Sequence, residues 1–147
     1  MKKFHFSLQR VLNVKKVYEK EKQRVMSEAL QKLNSEKLVL EGMVLEEQVA
    51  IQKIMEMKKQ NVTPAILALL HRSLEGQYVK KKRQENAVMM AENDVEMARF
   101  KLIEAQKEKK VFERLEEKKA QEYFEQLQQL EQKELDEIAL LQQSRKL

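Results

Sequence analysis

The side chains able to bind a metal or move a proton are scattered. His5 and His71 are the only histidines, and neither has a second imidazole at ligand spacing. Both read as structural or surface residues rather than metal ligands. Cysteine is absent, which removes thiolate sites, disulfides and thiol chemistry. Carboxylates suited to acid–base work are abundant. On charged helices, however, they form pairs one turn apart or face water. No glycine-rich phosphate loop or nucleophile elbow occurs. Catalysis also needs a concave pocket that excludes water. These residues predict no enzyme, no metal site and no cofactor.

Three other groupings point to recognition. The run Lys80-Lys81-Lys82-Arg83 is basic, but four successive helical positions point around the circumference. Glu85, Glu92, Asp94 and Glu96 follow, so the run reads as a solvated collar rather than a nucleic-acid face. Met43, Met55, Met57, Met89, Met90 and Met97 are core filler or an adaptable partner surface. Ile66, Leu67, Leu69, Leu70, Leu74 and Tyr78 cover more circumference than one seam needs. They are either local packing or a docking patch.

The elements that carry these residues are helices. The chain is rich in Glu, Lys, Gln, Leu and Ala, with two glycines and one proline. Charged residues reach 36%, above the ~25% of ordinary domains, yet apolar residues recur at helical spacing and argue against disorder. Phe4, Leu8, Val11, Tyr18 and Val25 alternate in threes and fours, with Lys15 and Lys22 in core slots. Val25, Ala29 and Leu33 predict a stutter. Leu30, Leu33, Leu40, Val44, Ile51 and Ile54 continue, with Lys37 and Glu47 as exceptions. Asn61-Val62-Thr63-Pro64 breaks the pattern, with Thr63 as N-cap and Pro64 at the first helical position. Val88, Ala91, Val95, Ala98, Leu102, Ala105 and Phe112 form a second seam. The expected fold is all-α. Two long helices, about 4–60 and about 64–145, form one antiparallel coiled-coil hairpin over residues 1–147, the second helix being the longer. At 1.5 Å per residue these helices would span ~85 and ~120 Å.

Charge is polarised. Residues 1–24 hold eight positive and two negative groups, and residues 121–139 one positive and six negative. Reflection about residue 62 sets Phe4 near Ala120 and leaves the acidic end beside the basic arm. There is no signal-type apolar stretch and no run long enough to span a membrane, so a cytoplasmic location is expected.

Two end segments carry a family resemblance. Phe4-His5-Phe6-Ser7-Leu8-Gln9-Arg10-Val11-Leu12 resembles the aromatic-x-aromatic-x-Leu-x-x-Val-Leu opening of the FliJ family of flagellar export proteins. The stretch from Phe112-Glu113-Arg114-Leu115 to Asp136-Glu137-Ile138-Ala139 resembles the family's C-terminal signature. The middle is generic coiled coil. The resemblance implies a non-enzymatic stalk of the type III export apparatus, at the cytoplasmic face of the inner membrane at the flagellar base. Its implied partners are the hexameric ATPase FliI and the gate protein FlhA, with FliH and substrate chaperones beside them. It implies no nucleic acid, no small-molecule ligand, and membrane contact only through the gate. Carried over by position, the ATPase contact falls on Phe4, Phe6, Leu8, Arg10, Leu12, Arg114, Lys118, Lys119, Tyr123 and Leu127. The gate contact falls on Leu70, Leu74 and Tyr78. Some relatives carry an aromatic at the Leu70 position and a small residue at the Gln77 position, which implies a weaker anchor at Leu70 and argues against Gln77 as a contact. The competing readings are a generic coiled-coil scaffold, an injectisome stalk, and a coiled coil that binds nucleic acid or a membrane surface.

Overall fold

The computed structural model describes residues 3–146. It contains α1, Gln9–Lys59, and α2, Pro64–Arg145, with no strand among the described residues. The two helices form an antiparallel hairpin, and α2 is the longer, at 82 residues against 51. Lys2, counted in the basic arm, lies outside the described residues.

The break falls where the sequence places it. The Thr63 carbonyl accepts from Ile66 N–H at 3.1 Å and Leu67 N–H at 3.3 Å, which starts α2 with Pro64 in its first turn. Lys58 and Lys59 close α1, where cations favour the negative end of the helix dipole. The first helix begins later than residue 4. Phe6 is buried, its carbonyl accepts from Gln9 N–H at 3.1 Å, and residues 3–6 are non-helical. Packing the Phe6 ring takes precedence over adding another helical turn.

Contacts divide the chain into two compact units. The turn unit is Lys22–Leu102; the terminal unit joins the chain up to Glu21 with the chain from Ile103 onward. In the turn unit, Leu33, Val88, Ala91 and Val95 form the core, flanked by Met26, Ala29 and Leu40. Alanines at alternate seam positions, Ala91 and Ala98, are buried there. In the terminal unit, Phe6, Leu12 and Ala105 are buried, and Leu12 is 0% exposed. Burying such a leucine is worth roughly 2–3 kcal/mol.

The seam is more regular than its apolar residues suggest. Along α1, a series of buried or half-buried positions runs Leu12, Lys15, Glu19, Lys22, Met26, Ala29, Leu33, Glu36, Leu40, Met43, Glu47, Ala50, Ile54 and Met57, with Gln9 and Val25 half-buried beside it. These steps alternate between three and four without a break, so the expected stutter is absent. Val11, Tyr18, Leu30, Val44 and Ile51, expected in the seam, are exposed at its edge. Charged groups occupy the slots in their place. Along α2 the same alternation runs from Leu67 through Lys81, Val88, Ala98 and Lys109 to Glu116. Every position from Gln128 to Lys146 is exposed, so the C-terminal stretch does not pack on the basic arm.

Candidate interaction surfaces

Several polar groups within the seam meet complementary groups, whereas the Gln77 amide oxygen is buried without a partner. In the turn unit, Glu47 Oε2 lies 2.8 Å from Lys81 Nζ. The Gln84 side-chain amide donates to the Glu36 carboxylate, and to the Glu36 carbonyl at 2.9 Å. In the terminal unit, Lys15 meets Glu108 at 3.0 Å and Lys109 meets Glu19 at 2.5 Å. Glu19 is only 7% exposed. Its hydrogen bond is the main reason that Lys109 holds its proton above the ordinary value of 10.5. Burial opposes this shift, and the charges of Glu19 and Glu113 add to it.

The terminal unit carries the expected ATPase-contact residues and brings four of the ten, Phe4, Phe6, Lys119 and Tyr123, to one groove. The Phe4 ring meets Tyr123 at a tilt of 50° with centroids 5.7 Å apart, and Tyr123 meets Phe124 edge-on at 5.5 Å. Phe4, His5 and Phe6 face Lys119, Glu122 and Tyr123 across an open groove of about 580 Å³. Arg10, Arg114, Lys118 and Lys119 are exposed, and Lys119 pairs with Glu122 at 3.5 Å. Leu8 and Leu127 are half-buried. Phe6 and Leu12 are spent on packing and present almost no surface.

In the turn unit, Leu70 and Leu74 are half-buried seam residues, while Tyr78 is exposed. The ammonium groups of Lys81 and Lys82 lie 5.6 and 5.4 Å from the Tyr78 ring centre. Lys82 also pairs with Glu85 at 3.2 Å, and this hydrogen bond is the chief cause of its raised pKa. Two of the four collar cations, Lys81 and Lys82, are therefore compensated. Sequence reasoning missed a stripe on the back of α1, where Leu38, Leu45 and Val49 are exposed around Gly42. Their spacing of four, three and four places them on one face opposite the seam. That spacing is legible in the sequence, but it was masked by the competing apolar series through Leu40, Val44 and Ile51.

Among the described residues no three metal-ligating side chains converge, and no helix is long and apolar enough to cross a membrane. No curated protein matches the sequence. A solved structure described as that of a YscO homolog, CT670 from Chlamydia trachomatis, shares the fold. It has a TM-score of 0.74 and 24% identity, covering 98% of each chain. The family model described as Flagellar FliJ protein matches residues 4–147. On that match, which spans nearly the whole chain, the protein belongs to the FliJ family of the flagellar type III export apparatus.

Proposed function

We propose that this chain is a non-enzymatic coupling stalk of the flagellar export machinery, working at the cytoplasmic face of the membrane. Its terminal unit engages the export ATPase FliI, and its turn unit engages the gate protein FlhA. FliH and substrate chaperones are further candidate partners. The observation that carries the reading is the presence of a distinct adhesive surface in each unit. The terminal unit offers an aromatic groove flanked by Lys3 and Lys119, exposes Arg10, Arg114 and Lys118, and has bare helix beyond Leu127. The turn unit offers Tyr78 and the stripe Leu38, Leu45 and Val49.

The test is ATP hydrolysis by the cognate ATPase with and without this protein, alongside ring counting by electron microscopy. Faster turnover with more hexameric rings is expected. The exposed pair Arg10→Glu and Lys118→Glu should abolish the stimulation while leaving helicity unchanged. No stimulation by the wild-type chain, with an ATPase active alone, removes the stalk reading and leaves a scaffold.

The gate contact needs exposed variants. Replacing Leu70 and Leu74 by alanine also thins the seam, because both are half-buried. Tyr78→Ser with Leu45→Ser alters exposed side chains instead. Reduced capture by FlhA and reduced motility, at unchanged helicity, are the expected results. Full capture by FlhA would remove the gate assignment.

A further inference from the structure

The turn unit holds a second charged surface that the coupling role does not use. From Met57 to Leu74 the chain contains no Asp or Glu, although Glu56 and Glu75 bracket the stretch. Lys58, Lys59 and Arg72 are exposed within it. Among the described residues none of the three forms an ion pair. The collar differs, since Lys81 and Lys82 are neutralised by Glu47 and Glu85. The turn is thus a stretch of 18 residues that holds three exposed cations and no carboxylate to offset them.

The same stretch exposes apolar groups. Ile66 is 46% exposed and Leu69 65%, and three-residue spacing puts them on one flank of α2. Met55, in the last turns of α1, is 62% exposed. The apolar groups belong to both helices, Met55 before the turn and Ile66 and Leu69 after it. A protein groove takes one face. A lipid headgroup layer accepts apolar side chains from every direction and supplies negative charge to uncompensated cations.

We infer that the turn is a peripheral binding site for a bilayer containing anionic phospholipid. Ile66, Leu69 and Met55 enter the boundary between headgroups and acyl chains. Lys58, Lys59 and Arg72 meet the lipid phosphates. Each such cation strengthens partitioning about fivefold at low salt. The attachment is superficial, since neither helix is apolar enough to span. It is a direct lipid contact, additional to any contact made through the gate protein.

The chain has no tryptophan, so Leu69→Trp supplies a sole indole reporter at an exposed position. The full-length variant is titrated with phosphatidylglycerol–phosphatidylcholine vesicles and with phosphatidylcholine vesicles alone. Wild-type chain is floated with the same vesicles. Blue-shifted indole emission and flotation are expected with the anionic vesicles only, weakening as salt rises. Combining Lys58→Glu, Lys59→Glu and Arg72→Glu should abolish both, at helicity matching the wild type. Arg83→Glu in the collar should leave both intact. Absence of flotation overturns the inference. Flotation with an unshifted indole, or flotation that survives the triple reversal, also overturns it by placing the contact elsewhere, such as the basic N-terminal arm. If the triple reversal instead costs capture by FlhA, and the wild type does not float, the patch serves an acidic protein and the lipid site is refuted. The ATPase and Tyr78 experiments are independent of every one of these outcomes.

Discussion

Gln77 occupies a seam slot of the turn unit, and its amide oxygen is buried without a hydrogen-bond partner. An unpaired buried polar atom costs about 1–3 kcal/mol. Gln77→Leu removes it and keeps a good helix former, so a gain of about 1 kcal/mol is expected. Thermal melting would register that as a rise of a few degrees. A lowered melting temperature would mean that the slot has no room for a branched apolar group. Glu47 Oε2 is also buried without a well-aligned hydrogen bond, but the Lys81 ammonium 2.8 Å away compensates its charge. Removing Lys81 alone strands a mostly buried carboxylate and should cost about 1–3 kcal/mol. Replacing both with leucine should be near neutral. A double-mutant cycle measures the coupling, and additive single effects would show the pair to be inert. Lys109 gives a pH signature. Its folded-state pKa lies above the unfolded value, chiefly through the bond to Glu19. Its stabilising contribution is therefore complete below 10.5 and lost as pH rises through the folded value. Melting temperature should fall above that pH, and fall less in Lys109→Met. Equal alkaline slopes in the two chains would contradict this assignment.

At the scale of elements, what matters is how far each helix is supported. Beyond Leu127 no α2 residue is buried, although Leu130, Leu135, Ile138 and Leu141 recur at helical spacing. Only local contacts steady this stretch, such as Gln132 to Asp136 at 3.0 Å and Ser144 to the Leu141 carbonyl at 2.9 Å. A short helix without tertiary packing is marginal in water. Ending the chain after Leu127 should therefore leave the melting temperature within about 2 °C while lowering total helicity. A large drop in melting temperature would mean that this stretch buries surface in the isolated protein.

The break between helices was legible because Thr63 and Pro64 carry local chemistry that tertiary contacts do not need to supply. The α2 seam from Val88 to Phe112 was legible because its residues are apolar and evenly spaced. The α1 seam was only partly legible. Lys15, Lys22 and Glu47 were placed in it and Lys37, also placed there, is exposed, but Glu19 and Glu36 sit in core slots only because Lys109 and Gln84 on the other helix complement them. An apolar pattern read along a single helix contains no trace of such a partner. The candidate contact residues were legible only as a group of aromatic and basic side chains near the ends. That Phe6 and Leu12 turn inward while Arg10 faces water depends on where α1 begins. The unwound segment shifts that start to Gln9.

For the molecule as a whole, exposure outweighs burial. The accessible surface is 12269 Å², against about 7,900 Å² for a compact monomer of 17.5 kDa. Much of the excess is apolar, from Val14 and Val17 on α1 to Phe100 and Leu141 on α2. A chain so lightly buried gains stability from whatever covers it, in proportion to the occupancy of its partner. Hydrogen exchange can read this segment by segment. In the isolated protein the slowest amides should lie around Leu33, Val88, Ala91 and Val95, where the core is continuous. Under the coupling reading, adding the ATPase should slow exchange in residues 9–14 and 114–146 and leave 38–49 unchanged. Adding the gate protein should slow 38–49 and 70–79 and leave 128–146 unchanged. Both partners together should give the sum of the two patterns. If both partners protect the same segment, they compete for one surface, and a single chain cannot hold them at the same time.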